Sequence, residues 1–248
     1  MNQISPTPTT TLESIQNFLE GFREIRKKHK PFLTEEEFMS DFLRFRDEYL
    51  EVKTKSDRRQ LSEAPQYNIF NILGVTRSEV RTHSTFLCDL LSPRASHGQG
   101  LLFLESFLKH CANRYPDEFP KLPEFDDPQK WLVFDERHIS NGRVDILILN
   151  PQEGFICVIE NKVDAYEGYD QLARYGKWIE DRKIEYPNSA LCYLTIRGAR
   201  SITANNYNYF RLSYHKDIFE WLEDTIHLIQ APGVKAVVLQ YQAIATNL

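Results

Sequence analysis

Three charged residues lie within the most apolar part of the chain, the segment 142–162, "GRVDILILNPQEGFICVIENK". Asp145 falls inside its first apolar run, and Glu160 and Lys162 fall at the end of its second. A buried carboxylate has to be paired, protonated or bound to a metal, because removing it from water is costly. Any fold of this chain must therefore place these three groups where their charges are satisfied.

The two apolar runs are typical of neighbouring strands. The runs 143–150 and 155–162 are joined by a short turn, which predicts an antiparallel pair. Because side chains alternate between the two faces of a strand, Glu160 and Lys162 share one face. The pairing brings the start of the first strand, with Asp145, beside the end of the second. We therefore expect the three charges to meet at one end of the sheet.

The remaining pattern predicts a mixed α/β fold, with a hairpin-built sheet flanked by helices. Further strands are predicted over 131–139, 190–197 and 209–215, and helices over 76–91, 99–115, 164–183, 216–229 and 234–248. The dipeptide Asn141-Gly142 is a strong signal for a two-residue hairpin turn. Asp164 and Glu167 are predicted to cap the helix that follows them. The sequence contains neither G-x-G-x-x-G nor a P-loop motif, so it gives no support for those nucleotide-binding folds.

The N-terminal part of the chain is predicted to be a helical extension, residues 1–60, that precedes a catalytic domain over residues 67–248. Its predicted elements are a helix over 11–29, a second helix that starts at a Thr34–Glu37 capping box, and a polar linker over 54–66. Together the two helices are expected to form an α-hairpin.

Charge and composition limit the classes of function. Lys and Arg number 30 against 35 Asp and Glu, a net charge of −5, which disfavours strong indiscriminate binding to nucleic acid. Any such binding must rest on a local site. The sequence shows no secretory signal and no apolar stretch of the roughly 20 residues that a membrane span needs, so we expect a cytoplasmic protein without a membrane partner. The four cysteines lack C-x-x-C spacing and are predicted to be buried thiols.

The two carboxylates also indicate a metal. Carboxylates held close together repel each other, and the pKa of one of them rises. A divalent cation relieves this repulsion, and oxygen ligands suit Mg²⁺. Lys162 is then predicted to hold or deprotonate a water molecule. A structural salt bridge between Lys162 and one carboxylate is the alternative, although it does not account for the second carboxylate.

The spacing of these residues resembles that of the PD-(D/E)XK nuclease superfamily. Asp145 is followed fifteen residues later, across a hairpin, by Glu160-Asn161-Lys162, and Val144 stands where the family name has proline. The resemblance covers roughly residues 67–248 and extends to uncharacterised bacterial and phage members. It implies that Asp145, Glu160 and the carbonyl group of Asn161 hold the metal.

Two further motifs extend the resemblance. Gln171 and Tyr175 match the Q-x-x-x-Y motif of the RecB-like branch, on the helix after the third strand, and are predicted to position substrate or a water molecule. The superfamily often carries an acidic residue on the helix before the sheet, where this chain has Glu79 and His83. Glu79 is predicted to be a further metal ligand or water orienter, and His83 a phosphate contact or a partner of Glu79. A solvated helix start with a hydrogen-bonded core histidine is the alternative.

The resemblance implies a restriction-endonuclease-like core and a Mg²⁺-dependent hydrolase in which Mn²⁺ can substitute. The implied substrate is nucleic acid, DNA ahead of RNA, with 5′-phosphate products. No iron–sulfur cluster is expected, because only Cys192 follows the Q-x-x-x-Y motif. Local basic side chains are predicted to contact phosphates: Arg143, Arg174, Lys177, Arg197 and Arg200.

Other functions stay open at this point. One is a catalytically silent nuclease-fold module that binds or interacts within a phage-defence or restriction system. Another is a protein that docks a partner through residues 1–60, and a third is an unrelated metal hydrolase. A protein partner or a homodimer is compatible with each of these.

Overall fold

The computed structural model describes residues 20, 21, 23, 24, 34–64 and 66–248. The chain divides into two units, residues 1–66 and residues 67–248. The predicted helix over 11–29 lies outside the described residues apart from residues 20, 21, 23 and 24, which are helical. The predicted α-hairpin in this region therefore stays a prediction.

Helix α1 (Glu35–Glu63) begins at the predicted capping box. The Thr34 hydroxyl accepts a hydrogen bond from the Glu37 backbone N–H at 3.2 Å, and the Glu37 carboxylate accepts one from the Thr34 backbone N–H at 2.8 Å. Both contacts satisfy N–H groups that the first turn of a helix leaves without partners. The prediction that this helix starts at a Thr34–Glu37 capping box is confirmed.

The predicted linker over 54–66 is wrong for most of its length, because α1 continues to Glu63. Ion pairs one turn apart stabilise this exposed stretch: Lys55 pairs with Glu51 at 2.7 Å and Arg59 with Glu63 at 2.8 Å. Lys, Arg, Gln and Leu are also good helix formers. Polarity alone therefore does not indicate a linker here.

A five-stranded mixed sheet forms the centre of the unit 67–248, in the order β1-β2-β3-β4-β5. The strands are β1 (Leu132–Ile139), β2 (Gly142–Asn150), β3 (Phe155–Lys162), β4 (Asn188–Thr195) and β5 (Phe210–Ser213). β1, β2 and β3 pair antiparallel, whereas β3, β4 and β5 pair parallel. The predicted fold class, a mixed hairpin-built sheet flanked by helices, is confirmed.

Helices cover both faces of this sheet. They are α2 (Ile69–Ile72), a π-helical turn (Glu79–Ser84) that leads into α3 (Thr85–Leu91), α4 (Leu102–Arg114), α5 (Gln171–Glu180), a second π-helical turn (Tyr214–Ile218) that leads into α6 (Phe219–Ile226), and α7 (Pro232–Thr246). Helices α3, α4, α6 and α7 pack on the face that carries Ile146 and Ile159, and α5 packs on the face that carries Leu147 and Val158. No helix among the described residues combines the length and apolar character needed to cross a membrane.

The cysteines lie inside this packing. All four are buried and free: Cys88, Cys111, Cys157 and Cys192. Their prediction as buried thiols is confirmed.

The β1–β2 turn differs from the prediction by one residue. Ile139 pairs with Gly142, so the turn residues are Ser140 and Asn141. Gly142 has φ +151 and packs against α5, where a Cβ atom would lie 3.2 Å from the Tyr175 ring. Glycine is therefore needed as the first residue of β2, because both its backbone conformation and this close approach exclude a side chain.

Helix α5 starts later than predicted, at Gln171, and Asp164 and Glu167 do not cap it. Asp164 instead pairs with Arg77, with a distance of 2.8 Å from Arg77 Nε to Asp164 Oδ2. The Glu167 carboxylate accepts hydrogen bonds from the loop at residues 201–203. Asp170 has φ +46, a left-handed conformation that separates this loop from the helix.

Gly176 provides a test of the packing on α5. A Cβ atom there would lie 2.4 Å from Cγ of Tyr207. Replacing glycine by alanine in an exposed helix stabilises by about 1 kcal/mol. For Gly176→Ala we instead expect a free energy of unfolding lower by about 1–3 kcal/mol, because the base of the Tyr207 ring must move. Urea unfolding measures this change.

Gly233→Ala in α7 is the matched control, because a Cβ atom there has no neighbour within 4 Å. This variant should unfold at the same urea concentration as the wild type or a higher one. A Gly176→Ala protein as stable as the Gly233→Ala protein would contradict the described packing of Tyr207.

Candidate active site

The three charged residues predicted to meet do lie together, at the end of the β2–β3 hairpin. The pairing of these two strands begins with Ile146 opposite Ile159. Just beyond it, the backbone N–H of Asn161 donates to Oδ2 of Asp145 at 2.7 Å. The Asp145 carboxylate thus takes the place of the next backbone acceptor where the two strands separate. Nζ of Lys162 lies 2.6 Å from Oε1 of Glu160.

The two oxygens of the fully buried Glu160 carboxylate have different surroundings. Oε1 lies 2.6 Å from Nζ of Lys162 in an ion pair, and it accepts a hydrogen bond from Nε2 of Gln171 at 2.6 Å. Oε2 is buried and has no hydrogen-bond partner among the described residues. A buried acceptor without a hydrogen-bond partner lowers the stability of the fold by about 1–3 kcal/mol, and by more when the acceptor is charged. Oε2 is therefore the position in this site at which a cation would be bound.

The electrostatics of the pair follow from burial and proximity. Burial, followed by the charge of Asp145, raises the pKa of Glu160 to about 8, although Lys162 offsets part of this rise. Burial raises the pKa of Asp145 to about 6, against the lowering effect of the Asn161 hydrogen bond and of Lys162. Near neutral pH the site therefore takes up a proton unless another positive charge is present.

Lys162 is a cation in this arrangement. Burial alone would lower the pKa of its ammonium group, but the charge and hydrogen bond of Glu160 outweigh this and raise it. Nζ also lies 3.4 Å from Oε1 of Glu79. An amine with a raised pKa is a poor general base. Of the two predicted roles, the raised pKa of Lys162 therefore favours holding a water molecule over deprotonating it.

Gln171 and Tyr175 connect α5 to the site. The Gln171 side-chain oxygen accepts from the Gly168 backbone N–H at 2.8 Å, which directs its NH₂ group to Glu160 and, at 3.1 Å, to the Tyr175 hydroxyl. The Tyr175 hydroxyl donates in turn to the backbone oxygen of Arg143, at the start of β2. Gln171 thus touches the carboxylate, while Tyr175 fixes the helix against the strand that carries Asp145.

Glu79 reaches the site from the opposite side of the sheet end. Its Oε2 accepts from the backbone N–H groups of Val163 at 2.8 Å and Ala165 at 3.4 Å. Its Oε1 faces Lys162. The Glu79 carboxylate therefore holds Lys162 and the chain that leaves β3, and its predicted role as a metal ligand stays a prediction.

His83 does not lie among these groups. It is fully buried, with Nε2 at 2.9 Å from the Thr76 carbonyl oxygen and Nδ1 at 3.1 Å from the Tyr241 hydroxyl. Both ring nitrogens are occupied, so neither is available for the predicted phosphate contact. The predicted helix over 76–91 begins only at Glu79, with a wide π-helical turn, so the 3.6-residue stripe that linked Glu79 to His83 does not apply. The alternative of a hydrogen-bonded core histidine describes this residue.

Asn161 has its side chain committed to the core. Its Nδ2 donates to the Ser84 hydroxyl at 3.0 Å, and its Oδ1 accepts from the Tyr214 hydroxyl at 2.8 Å. The backbone N–H is bound to Asp145, and the carbonyl oxygen lies 3.4 Å from Nζ of Lys162. Of the polar groups of Asn161, only this backbone carbonyl can serve as a metal ligand, which is the role that the family resemblance implies.

The donor set fits an open Mg²⁺ site. Among the described residues, no three His, Cys, Asp or Glu side chains are grouped so that they could hold a metal. Asp145, Glu160 and the Asn161 carbonyl group supply two carboxylates and one neutral oxygen. Mg²⁺ in phosphoryl-transfer sites is bound through one or two carboxylates and completes its shell with water and phosphate oxygens. The vacant acceptor at Oε2 of Glu160 agrees with this arrangement.

Sequence reasoning missed Glu136 on β1. It lies between the pairs Asp135–Ile146 and Arg137–Val144, at the level of Asp145, and its charge adds to the rise in the Asp145 pKa. Nε of Arg143 lies 2.7 Å from its Oε2, an ion-pair distance without hydrogen-bond geometry. The predicted turn would have placed His138 opposite Asp145, so the register error concealed this third acid.

The raised pKa of Glu160 has a consequence for stability. A carboxyl group whose folded pKa, about 8, exceeds its ordinary 4.5 stabilises the fold fully below pH 4.5. This contribution is lost as the pH rises through 8. In EDTA we therefore expect the wild-type Tm to fall between pH 5.5 and 8.5, on the order of 5 °C.

Glu160→Gln should remove most of this fall, because an amide does not titrate. Thermal unfolding followed by circular dichroism at both pH values measures the difference. Equal falls in the two proteins would show that Glu160 is not the titrating group.

Comparison with known proteins gives one family. The model of the PD-(D/E)XK nuclease superfamily matches residues 67–242, more than half of the chain. Searches among curated proteins and among solved structures gave no match.

Proposed function

The chain belongs to the PD-(D/E)XK nuclease superfamily, and on this premise we propose that it hydrolyses phosphodiester bonds of nucleic acid with a divalent cation. Mg²⁺ is the proposed cofactor, with Mn²⁺ as a substitute, and DNA is the proposed substrate ahead of RNA. The observation that carries the proposal is the buried Oε2 of Glu160, which lacks a partner beside a second carboxylate. The activity is assigned to residues 67–248, with residues 1–60 as a helical extension.

Asp145, Glu160 and the Asn161 carbonyl group are the residues that would hold the cation. A cation bound there polarises a phosphate oxygen and lowers the pKa of a water molecule. Gln171 holds Oε1 of Glu160, so that Oε2 is the oxygen left for the cation.

Lys162 contributes positive charge near the reacting phosphate. Its ammonium group is fixed between Glu160 and Glu79, and it stays protonated because these acids raise its pKa. A fixed cation of this kind stabilises the negative charge that develops on the phosphate oxygens in the transition state. The lysine acts through its charge, and activation of water would come from a cation held by Asp145, Glu160 and the Asn161 carbonyl group.

Two arginines flank the site and are proposed to contact phosphates. Arg143 follows the β1–β2 turn, and its half-exposed side chain pairs with Glu136. Arg174 donates to the Asn141 carbonyl oxygen at 2.6 Å, at the same edge of the sheet. Lys177 is less suited, because it already pairs with Asp181 at 2.8 Å. A few local contacts of this kind accord with the negative net charge of the chain.

Cleavage assays test the proposal. With Mg²⁺ or Mn²⁺, the wild type should degrade at least one of single-stranded DNA, linear duplex, circular duplex or RNA. Lys162→Ala and Asp145→Asn should each lower the rate by about 10²-fold or more, because each removes a charge used in the transition state. End-labelling of the products would identify a 5′-phosphate.

Lys216→Ala is the matched control, a lysine removed from an exposed position on another part of the fold. It should cleave at the wild-type rate. Equal cleavage by the wild type and Lys162→Ala would indicate a contaminating nuclease, and binding without cleavage would favour a catalytically silent module.

A further inference from the structure

A groove lies between β1 and α5, with a volume of about 460 Å³. Its floor is formed by apolar residues of β2 and β3, among them Leu147 and Ile156, and its walls include Phe134 and Trp178. Leu147 and Ile156 belong to the sheet face that packs against α5, and α5 also supplies Gln171 to Glu160. The β1–α5 groove is therefore on the same side of the sheet as the active-site carboxylate.

The groove lies farther along α5 than the active site, and its lining in the described part of the chain includes none of Asp145, Glu160 and Gln171. Trp178 stands three residues after Tyr175, which places the two side chains on neighbouring turns of the helix. Ile139 and Ser140 line the groove just before the β1–β2 turn. That turn leads to Gly142, which packs against the Tyr175 ring. Along α5, the buried Tyr175 thus lies between Gln171 at the catalytic centre and Trp178 in the groove.

Two arginines rest on the aromatic walls. The guanidinium carbon of Arg182 lies 4.2 Å from the centre of a Trp178 ring, and that of Arg137 lies 4.9 Å from the centre of the Phe134 ring. Neither guanidinium group has an acidic partner among the described residues. One acid, Glu185, lines the groove beside these two cations. This is a local positive surface on a chain whose net charge is −5.

We propose that the β1–α5 groove binds a single-stranded segment of the nucleic-acid substrate, on the same face of the sheet as the catalytic carboxylate. The inference rests on the proposed nuclease function. Unpaired bases stack on aromatic rings and on guanidinium planes, and arginine donates to phosphate oxygens. Arg182 donates one hydrogen bond to the Trp178 carbonyl oxygen at 3.1 Å. The combination of an apolar floor, aromatic walls and two guanidinium groups without an acidic partner among the described residues matches these needs. A duplex keeps its bases stacked internally and cannot insert them into such a groove.

Binding measurements test this inference separately from catalysis. Fluorescence anisotropy in EDTA would compare a labelled single-stranded oligonucleotide of about 12 nucleotides, as DNA and as RNA, with a blunt duplex of the same sequence. We expect the Arg137→Glu/Arg182→Glu protein to bind the single strands about tenfold more weakly or worse. Its affinity for the duplex should change by less than about threefold. Lys121→Glu, an exposed charge reversal elsewhere, should bind like the wild type.

A second variant separates stacking from charge and guards against misfolding. Arg137→Lys/Arg182→Lys keeps both positive charges but removes the planar groups, and we expect a loss of about threefold for single strands alone. Both double variants should unfold within a few degrees of the wild type.

Unchanged single-strand affinity in the glutamate variant would overturn the inference, and so would an equal loss for single strand and duplex. If the wild type cleaves a substrate while the glutamate variant binds single strands normally, the groove inference fails and the nuclease proposal stands. If no nucleic acid is cleaved by the wild type, the nuclease proposal fails, even where binding depends on these arginines.

Discussion

The architecture of the site depends on how two carboxylates are kept at one end of a buried sheet. Asp145 replaces a backbone acceptor for Asn161, and Glu160 has one oxygen held by Lys162 and Gln171 and the other without a partner. Burial raises the pKa of both acids. The site therefore holds a negative charge that only a proton or an added cation neutralises, and this makes it suited to a divalent metal.

A network of buried polar groups holds this sheet end in place. Beneath β3, the Asn161 side chain is fixed by Ser84 and Tyr214, and His83 contacts the Tyr214 ring while its Nδ1 bonds to Tyr241. Such groups are costly to bury unless each is satisfied, and when satisfied they define one geometry. The end of the sheet that carries the Asp145 and Glu160 carboxylates is thus held in one geometry, and the proposed electrostatic catalysis requires such preorganisation.

The sequence predicted the central strands well, because strands buried on both faces appear as short continuous apolar runs. β3 was predicted over the same residues that it occupies, and β2 to within one residue. The predictions from sequence were wrong where tertiary contacts, and not the local sequence, determine the structure. The β1–β2 turn lies one residue earlier than the Asn-Gly signal suggests, and in this register Glu136 lies at the level of Asp145. A π-helical turn places His83 in the core, because it alters the spacing on which the prediction relied.

The assignment of Gln171 and Tyr175 to the RecB-like motif stays a prediction. In the structure, the Gln171 side chain donates hydrogen bonds to Glu160 and to the Tyr175 hydroxyl.

Anomalous diffraction from crystals soaked in Mn²⁺ tests directly whether the two carboxylates bind a divalent cation. We expect one strong peak about 2 Å from Oε2 of Glu160, near the Asp145 carboxylate, and no such peak in crystals of Asp145→Asn. A wild-type crystal that shows Oε2 of Glu160 bonded only to protein groups, with manganese absent from the site at saturating concentration, would contradict it.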